Sequence, residues 1–345
     1  MTLHRFDLPL RHVFTTAHGS AQVYKALVVE LQQDGQCGFG EAGQSDYYGV
    51  TRESIAAALE AARPQIDSWR LDDPAECPDP LGADLPGGRF ARCALDVAAH
   101  DLWGKLRGQP LWKLWGLRQE NCPLSSYTIG IDAIEVMVAK LREFPGWPVY
   151  KIKLGTPDDL QVVQALRAYT DAVFRVDANC AWTAEQTVSN SAALASLGVE
   201  FIEQPLNPDD WEGMRVVHAR AALPIIADES CLTEADVDRC HGLFHGINIK
   251  LVKCGGLSPA WRMIARARQL GLQVMVGCMC ESTVGISAIA QLLPLLDYAD
   301  IDGALLLDRD IAAGVRLERG RIHYPQTSGC GVTLLPDAES CAVKI

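Results

Sequence analysis

The chain has 345 residues, 48% hydrophobic and 21% charged, long enough for a large barrel or two cored domains and too apolar to be disordered. Asp plus Glu (43) outnumber Lys plus Arg (31), and the resulting net charge of −12 argues against partners held through phosphates or an anionic membrane surface. Apolar runs such as Val284–Leu296 are broken by Gln291 and Pro294 and fall short of a membrane span, and Met1–Leu10 carries charge rather than an apolar signal segment, so a cytoplasmic protein is expected.

The first 118 residues predict an α+β domain. Leu3–Pro9, Lys25–Leu31 and Cys37–Glu41 have strand character, with Asp34-Gly35 as a turn signal between the last two. Helical patterns follow near Arg52–Gln65 and Arg89–Arg107. From there β-rich runs recur about every 25 residues: Leu124–Ile129, Val149–Lys153, Val173–Asp177, Val199–Glu203, Leu223–Asp228, Gly246–Leu251, Gln273–Gly277 and Tyr298–Asp302. Helical segments such as Pro157–Tyr169, Thr183–Leu197, Thr233–His241 and Ser258–Leu270 lie between them. Eight strands separated by helices predict a parallel barrel over 119–304. The last 43 residues, with weak strands at Val315–Leu317 and Arg321–Tyr324, are expected to return and complete the first domain over 305–345.

Twelve cysteines are scattered along the chain, Cys77, Cys180, Cys231 and Cys254 among them. In a long chain without a signal segment they are expected to be reduced and mostly buried. Cys278-Met-Cys280 is the one close pair, and without a companion cluster it is a weak zinc or redox signal.

In a parallel barrel the chemistry collects at the C-terminal strand ends. Lys153, Asp177, Glu203, Asp228 and Lys250 follow one another at steps of 24, 26, 25 and 22 residues, so each falls at the same place in successive βα units. Three acids converging at one mouth repel one another unless a cation holds them, and three carboxylates with open positions suit Mg²⁺. Lys151 and Lys153 share a parity, as do Asn248 and Lys250, so both pairs face inward. A cation beside such lysines lowers their pKa toward the basic form. Lys153 and Lys250 then flank the metal and can exchange protons with opposite faces of one carbon. Asp300 and Asp302 lie across the mouth, where they would meet a positive group at the far end of the substrate.

These residues resemble the enolase superfamily, specifically its muconate-lactonising subgroup. The likeness runs over nearly the whole chain. It rests on Arg92–Lys105 with Gly108–Gly116, Lys151-Ile-Lys153, Val176-Asp-Ala-Asn179, Ile202-Glu-Gln-Pro205, Ala227-Asp-Glu-Ser230 and Ile247–Gly256. The resemblance implies an α/β fold with a modified (β/α)7β TIM barrel under an α+β capping domain. Asp300-Ile-Asp302 resembles the Asp-x-Asp of dipeptide epimerases, which holds a substrate α-ammonium. By the same match Thr128, Lys151, Cys278 and Cys280 line the dipeptide site, and His18, Asn179 and Tyr47 contribute to its wall. Relatives selective for an acidic second residue carry Arg in the flexible loop near the N-terminus. Here Phe14–Ser20 offers His18 instead. The implied activity is a Mg²⁺-dependent, two-base epimerisation of a dipeptide; its side-chain preference is left open, with a hydrophobic or cationic side chain set against Ala-Glu, and so is the oligomeric state. N-acylamino acid racemase, o-succinylbenzoate synthase and muconate cycloisomerase are alternatives on this scaffold, but their substrates give Asp300 and Asp302 no ammonium. A non-catalytic relict barrel would lack a lysine or a metal acid, and none is lacking.

Overall fold

The computed structural model describes residues 1–74, 80–81, 87–336 and 338. Cys77, Cys341 and the end of the expected 305–345 return lie outside the described residues. Strands β1 (Thr2–Thr16), β2 (Gly19–Gln33) and β3 (Gln36–Gly43) form an antiparallel sheet in the order β1-β2-β3. Asp34 (φ 49°) and Gly35 (φ 77°) make the two-residue turn between β2 and β3, the left-handed pair this turn requires. The first hairpin differs from expectation. Phe14, Thr15 and Thr16 pair with Ala21, Ser20 and Gly19, so the segment expected as a flexible loop is the end of a ladder that turns at Ala17-His18. The family resemblance implies the loop, and the apolar alternation ends before the ladder does.

Helices α1 (Arg52–Asp67) and α2 (Gly88–Leu106) cover one face of this sheet. Close approach of β3 to α2 explains its glycines. A Cβ on Gly38 would sit 2.3 Å from Ala98 O, and one on Gly40 2.1 Å from Ala94 O.

Eight parallel strands follow: β4 (Tyr127–Ile129), β5 (Val149–Lys153), β6 (Val173–Asp177), β7 (Val199–Glu203), β8 (Ile225–Ala227), β9 (Gly246–Ile249), β10 (Gln273–Gly277) and β11 (Tyr298–Asp300). They are ordered as in the chain, and a lone parallel bridge between Ser125 and Ala299 brings the first strand beside the eighth. Helices connect successive strands on the outside, giving the (β/α)7β arrangement. Inside, parity sets the layers. Phe201, Ile226 and Met275 pack with Tyr298 as an apolar plug, and residues two further along β7 and β11, Glu203 and Asp300, form the polar layer above it.

Carboxylates of the cap hold the barrel and the returning segment. Glu41 at the end of β3 accepts from the Ser282 and Gly285 N–H groups (both 3.0 Å), capping the helix Thr283–Ala290. Asp96 on α2 does the same for Leu257 (2.6 Å) and Ser258 (3.1 Å). Asp101 accepts from Phe39 N–H (2.9 Å), Lys105 (2.7 Å) and Cys330 N–H (2.7 Å). These bonds account for three features of the Arg92–Lys105 stretch. The returning segment pairs Arg316–Glu318 with Arg321–His323, and it contacts both parts: Leu307 bridges Leu10, and Tyr324 donates to Ala290 O at 2.6 Å.

Candidate active site

The strand ends bring Asp177, Glu203 and Asp228 together. One carboxylate oxygen from each lies within 4.8 Å of the others, and all three side chains are buried. Lysines ring them. Lys153 Nζ is 2.7 Å from Asp177, Lys250 Nζ 2.8 Å from Asp228, and Lys151 Nζ reaches both Glu203 (2.8 Å) and Asp177 (3.1 Å). Asn248 donates to Glu203 Oε1 at 2.8 Å, through the inward parity it shares with Lys250.

The acids are not electrostatically alike. Burial opposes ionisation of Asp177, but Lys153 and Lys151 outweigh it and hold the carboxyl below the usual range. Burial and the Asp177 charge push Glu203 up to about 8. Asp228 is buried too, yet Lys250 and Lys253 hold it well below the usual range. Four lysines, Lys151, Lys153, Lys250 and Lys253, stand against the three acids, so burial and the closeness of Asp177 raise Glu203, not a shortage of lysines. Glu203 Oε2 and Asp228 Oδ2 are buried without a well-directed hydrogen bond, although a lysine stands 2.8 Å from each. Three converging hard oxygen donors and two under-bonded buried oxygens fit Mg²⁺.

The lysines carry a correction. Burial lowers Lys250, but Asp228 outweighs it and holds the ammonium well above its ordinary value; Asp300, Glu203 and Asp177 do the same for buried Lys151. The expected lowering rested on a metal charge, whereas the protein groups alone surround these lysines with carboxylates.

A cavity of about 280 Å³ opens above the cluster. Its floor carries Lys151, Lys153 and Lys250. Thr128, Asp300 and Asp302 line it from the ends of β4 and β11, and Cys278 and Cys280 from the loop after β10. His18, Tyr47 and Asn179 form its outer wall, so the cavity gathers every expected residue except the three acids beneath it. None of the metal-capable clusters among the described residues contains Cys278 or Cys280, and the ten described cysteines are free.

Asp300 and Asp302 differ. Asp300 accepts from Lys151 (2.8 Å) and Ser126 Oγ (2.7 Å), and despite burial Lys151 lowers its pKa. Asp302 lies beyond the strand, where Gly303–Leu306 begins a 3-10 turn. Its carboxylate accepts from the Thr128 N–H (2.6 Å) and Oγ1 (3.1 Å). Burial and neighbouring Asp300 push it up to about 7.

The sequence reading missed two residues. Lys253, 1% exposed, donates to Asp228 Oδ1 at 2.6 Å and to three backbone carbonyls. It sits in the short helix Leu251–Cys254, outside strand parity, although it stood within a quoted motif. Glu229 accepts from His18 Nε2 (2.8 Å) and Asn179 Nδ2 (3.2 Å). It follows Asp228, an expected metal ligand, directly in the sequence, which masked it.

A (β/α)7β barrel with three carboxylates at consecutive strand ends, two flanking lysines and a separate α+β cap defines a class of enzyme. The chain belongs to the mandelate racemase/muconate lactonizing enzyme family: residues 2–116 match the family's N-terminal domain and 134–338 the enolase C-terminal domain-like model. It is an isomerase of that family, and Mg²⁺ is its cofactor. It is 51% identical over 335 residues to the L-Ala-D/L-amino acid epimerase of Maribacter sp., covering 97% of this chain and 99% of that one. It is 39% identical over 336 residues to the L-Ala-D/L-Glu epimerase of Bacteroides thetaiotaomicron, covering 96% and 87%. Among solved structures, the dipeptide epimerase of Enterococcus faecalis complexed with Mg and L-Leu-L-Tyr is similar at a TM-score of 0.88 and 31% identity, covering 96% and 98%.

Proposed function

We propose that the chain epimerises a dipeptide at the α-carbon beside its C-terminal carboxylate. The observation that carries this reading is Asp302: a buried carboxylate that accepts from Thr128 and no lysine or arginine in the hydrogen bonds described, lining the cavity just after β11, the strand opposite β7 of the Asp177–Glu203–Asp228 cluster. A dipeptide spans that cavity with a negative group at one end and an ammonium at the other, and an ammonium buried without a partner costs several kcal/mol.

Asp177, Glu203 and Asp228 would hold Mg²⁺. When bound, Mg²⁺ supplies fixed positive charge beside the substrate carboxylate and offsets the pull of the three acids on the lysine protons. Lys153 removes the α-proton from one face, and Lys250 returns one to the other; for the opposite stereoisomer their roles exchange. Asn248 and Lys253 position Glu203 and Asp228. Lys151 neutralises Asp300, leaving Asp302 to accept the ammonium in charge-assisted hydrogen bonds. The side chain of the inverted residue meets the wall of His18 and Tyr47, whose rings stack at 4.0 Å. That wall offers no lysine or arginine, and with Glu229 behind it the protein's own side chains favour a hydrophobic or cationic side chain over Glu.

The test incubates a dipeptide library with enzyme and Mg²⁺ in D₂O and measures a one-unit mass gain, each dipeptide beside its N-acetylated form. Incorporation confined to free dipeptides supports the reading. Equal incorporation into both forms overturns it and favours an N-acylamino acid racemase.

A further inference from the structure

A second group of metal-capable side chains stands at the outer wall, apart from the three strand-end acids. His18, Cys180 and Glu229 each offer a ligand atom, and these atoms lie within 4.8 Å of one another. The three come from separate parts: the tip of the β1–β2 hairpin, the loop after β6, and the loop after β8. Each is held in place. His18 stacks on Tyr47, which lies beside Cys180. Cys180 (φ 67°) and Asn179 (φ 42°) are in the left-handed backbone region, and Cys180 N–H donates to Gln204 O at 2.8 Å. Glu229 has a side chain only 4% exposed, and its Oε2 is buried with no hydrogen-bond partner although it faces the same cavity. The Cys180 thiol is pushed up by burial and then by Glu229, Asp228 and Asp177, so the surroundings are strongly negative.

We propose that His18, Cys180 and Glu229 form a second divalent metal site, for a borderline ion such as Zn²⁺, that ties the hairpin tip of the cap to the barrel rim. One imidazole, one thiolate and one carboxylate form the mixed set that Zn²⁺ accepts and Mg²⁺ disfavours, and three protein ligands leave a fourth position toward the cavity. Binding releases the Cys180 proton to solvent and replaces the His18–Glu229 hydrogen bond, with the imidazole proton moving to the other ring nitrogen. Contraction of a 4.8 Å spread to bonding geometry falls to the exposed hairpin tip, the least packed of the three parts. This site shares His18 and Glu229 with the wall of the dipeptide reading, but its test reads metal binding rather than turnover, so the two can fail separately.

The test titrates Co²⁺, a spectroscopic stand-in for Zn²⁺, into full-length protein at saturating Mg²⁺. One equivalent should bind with a thiolate-to-cobalt charge-transfer band, a signature the all-carboxylate cluster cannot give. Cys180→Ser should abolish the band. His18→Ala, at an exposed position that the fold tolerates, should weaken Co²⁺ binding by at least the roughly 10–100-fold that losing an outer-shell partner alone costs. Zn²⁺ should displace the band stoichiometrically. No band in the wild type, a band that survives in Cys180→Ser, or an unchanged affinity in His18→Ala overturns the site.

Discussion

The two ends of the cavity manage buried negative charge in opposite ways. At the cluster end three carboxylates share Lys151, Lys153, Lys250 and Lys253, yet Glu203 is still pushed up to about 8. At the far end Asp300 is neutralised at close range by Lys151, and Asp302, which accepts from Thr128, is pushed up to about 7 by burial and Asp300. Each end thus keeps one carboxylate raised above the usual range, and in the proposed reading a metal ion meets the one and a substrate ammonium the other. Lys151 touches acids at both ends, so it sets how much negative charge each presents.

Removing the metal end should cost most. Exhaustive chelation, or Glu203→Gln, should remove several kcal/mol of transition-state stabilisation and reduce turnover to background, while circular dichroism stays native. Full activity after chelation contradicts the metal assignment. Lys151→Met should come next. It leaves Asp300, Glu203 and Asp177 facing one another without their shared cation, and breaking a buried pair of this kind costs about 3–5 kcal/mol of stability, measured by urea unfolding. An unchanged midpoint would mean that Lys151 does not join the two ends.

Much of the cluster end was legible before the fold was known. A step of about 25 residues from Lys153 to Lys250 encodes the βα repeat, and strand parity encodes which side chains face inward. The far end was harder. The Lys151–Asp300 pair joins residues 149 apart and exists because the barrel closes, with Ser125 beside Ala299. Asp302 lies beyond its strand, so parity does not aim it; the Thr128 N–H does. Lys253 escaped because a helical turn rather than a strand carries it inward, and the hairpin at Ala17-His18 escaped because backbone pairing, not apolar alternation, extends it.

Asp302 sharpens the comparison through pH. Its folded pKa of about 7 lies above the ordinary carboxylate value, so the folded protein holds a proton that the unfolded chain has released. Its contribution to stability is therefore present below the ordinary carboxylate pKa and lost as pH rises through about 7. Dipeptide binding runs the other way, because the ammonium needs the ionised form. kcat/KM should rise through about pH 7, and Asp302→Asn should remove that step while weakening dipeptides by about 2–5 kcal/mol. A step that persists in the variant assigns it to another group. The smallest effect belongs to the outer wall. His18→Arg should raise kcat/KM for L-Ala-L-Glu relative to L-Ala-L-Phe by about tenfold, or 1.4 kcal/mol. No change in that ratio would show that His18 does not meet the substrate side chain.

The central claim is that two lysines serve opposite faces of one carbon. It is tested most directly by following α-proton exchange of each pure dipeptide diastereomer in D₂O with Lys153→Ala and Lys250→Ala, both loaded with Mg²⁺. The account predicts that neither variant epimerises and that any surviving exchange is confined to one diastereomer, a different one for each variant. Epimerisation at the wild-type rate by either variant, or exchange of the same diastereomer by both, would contradict it.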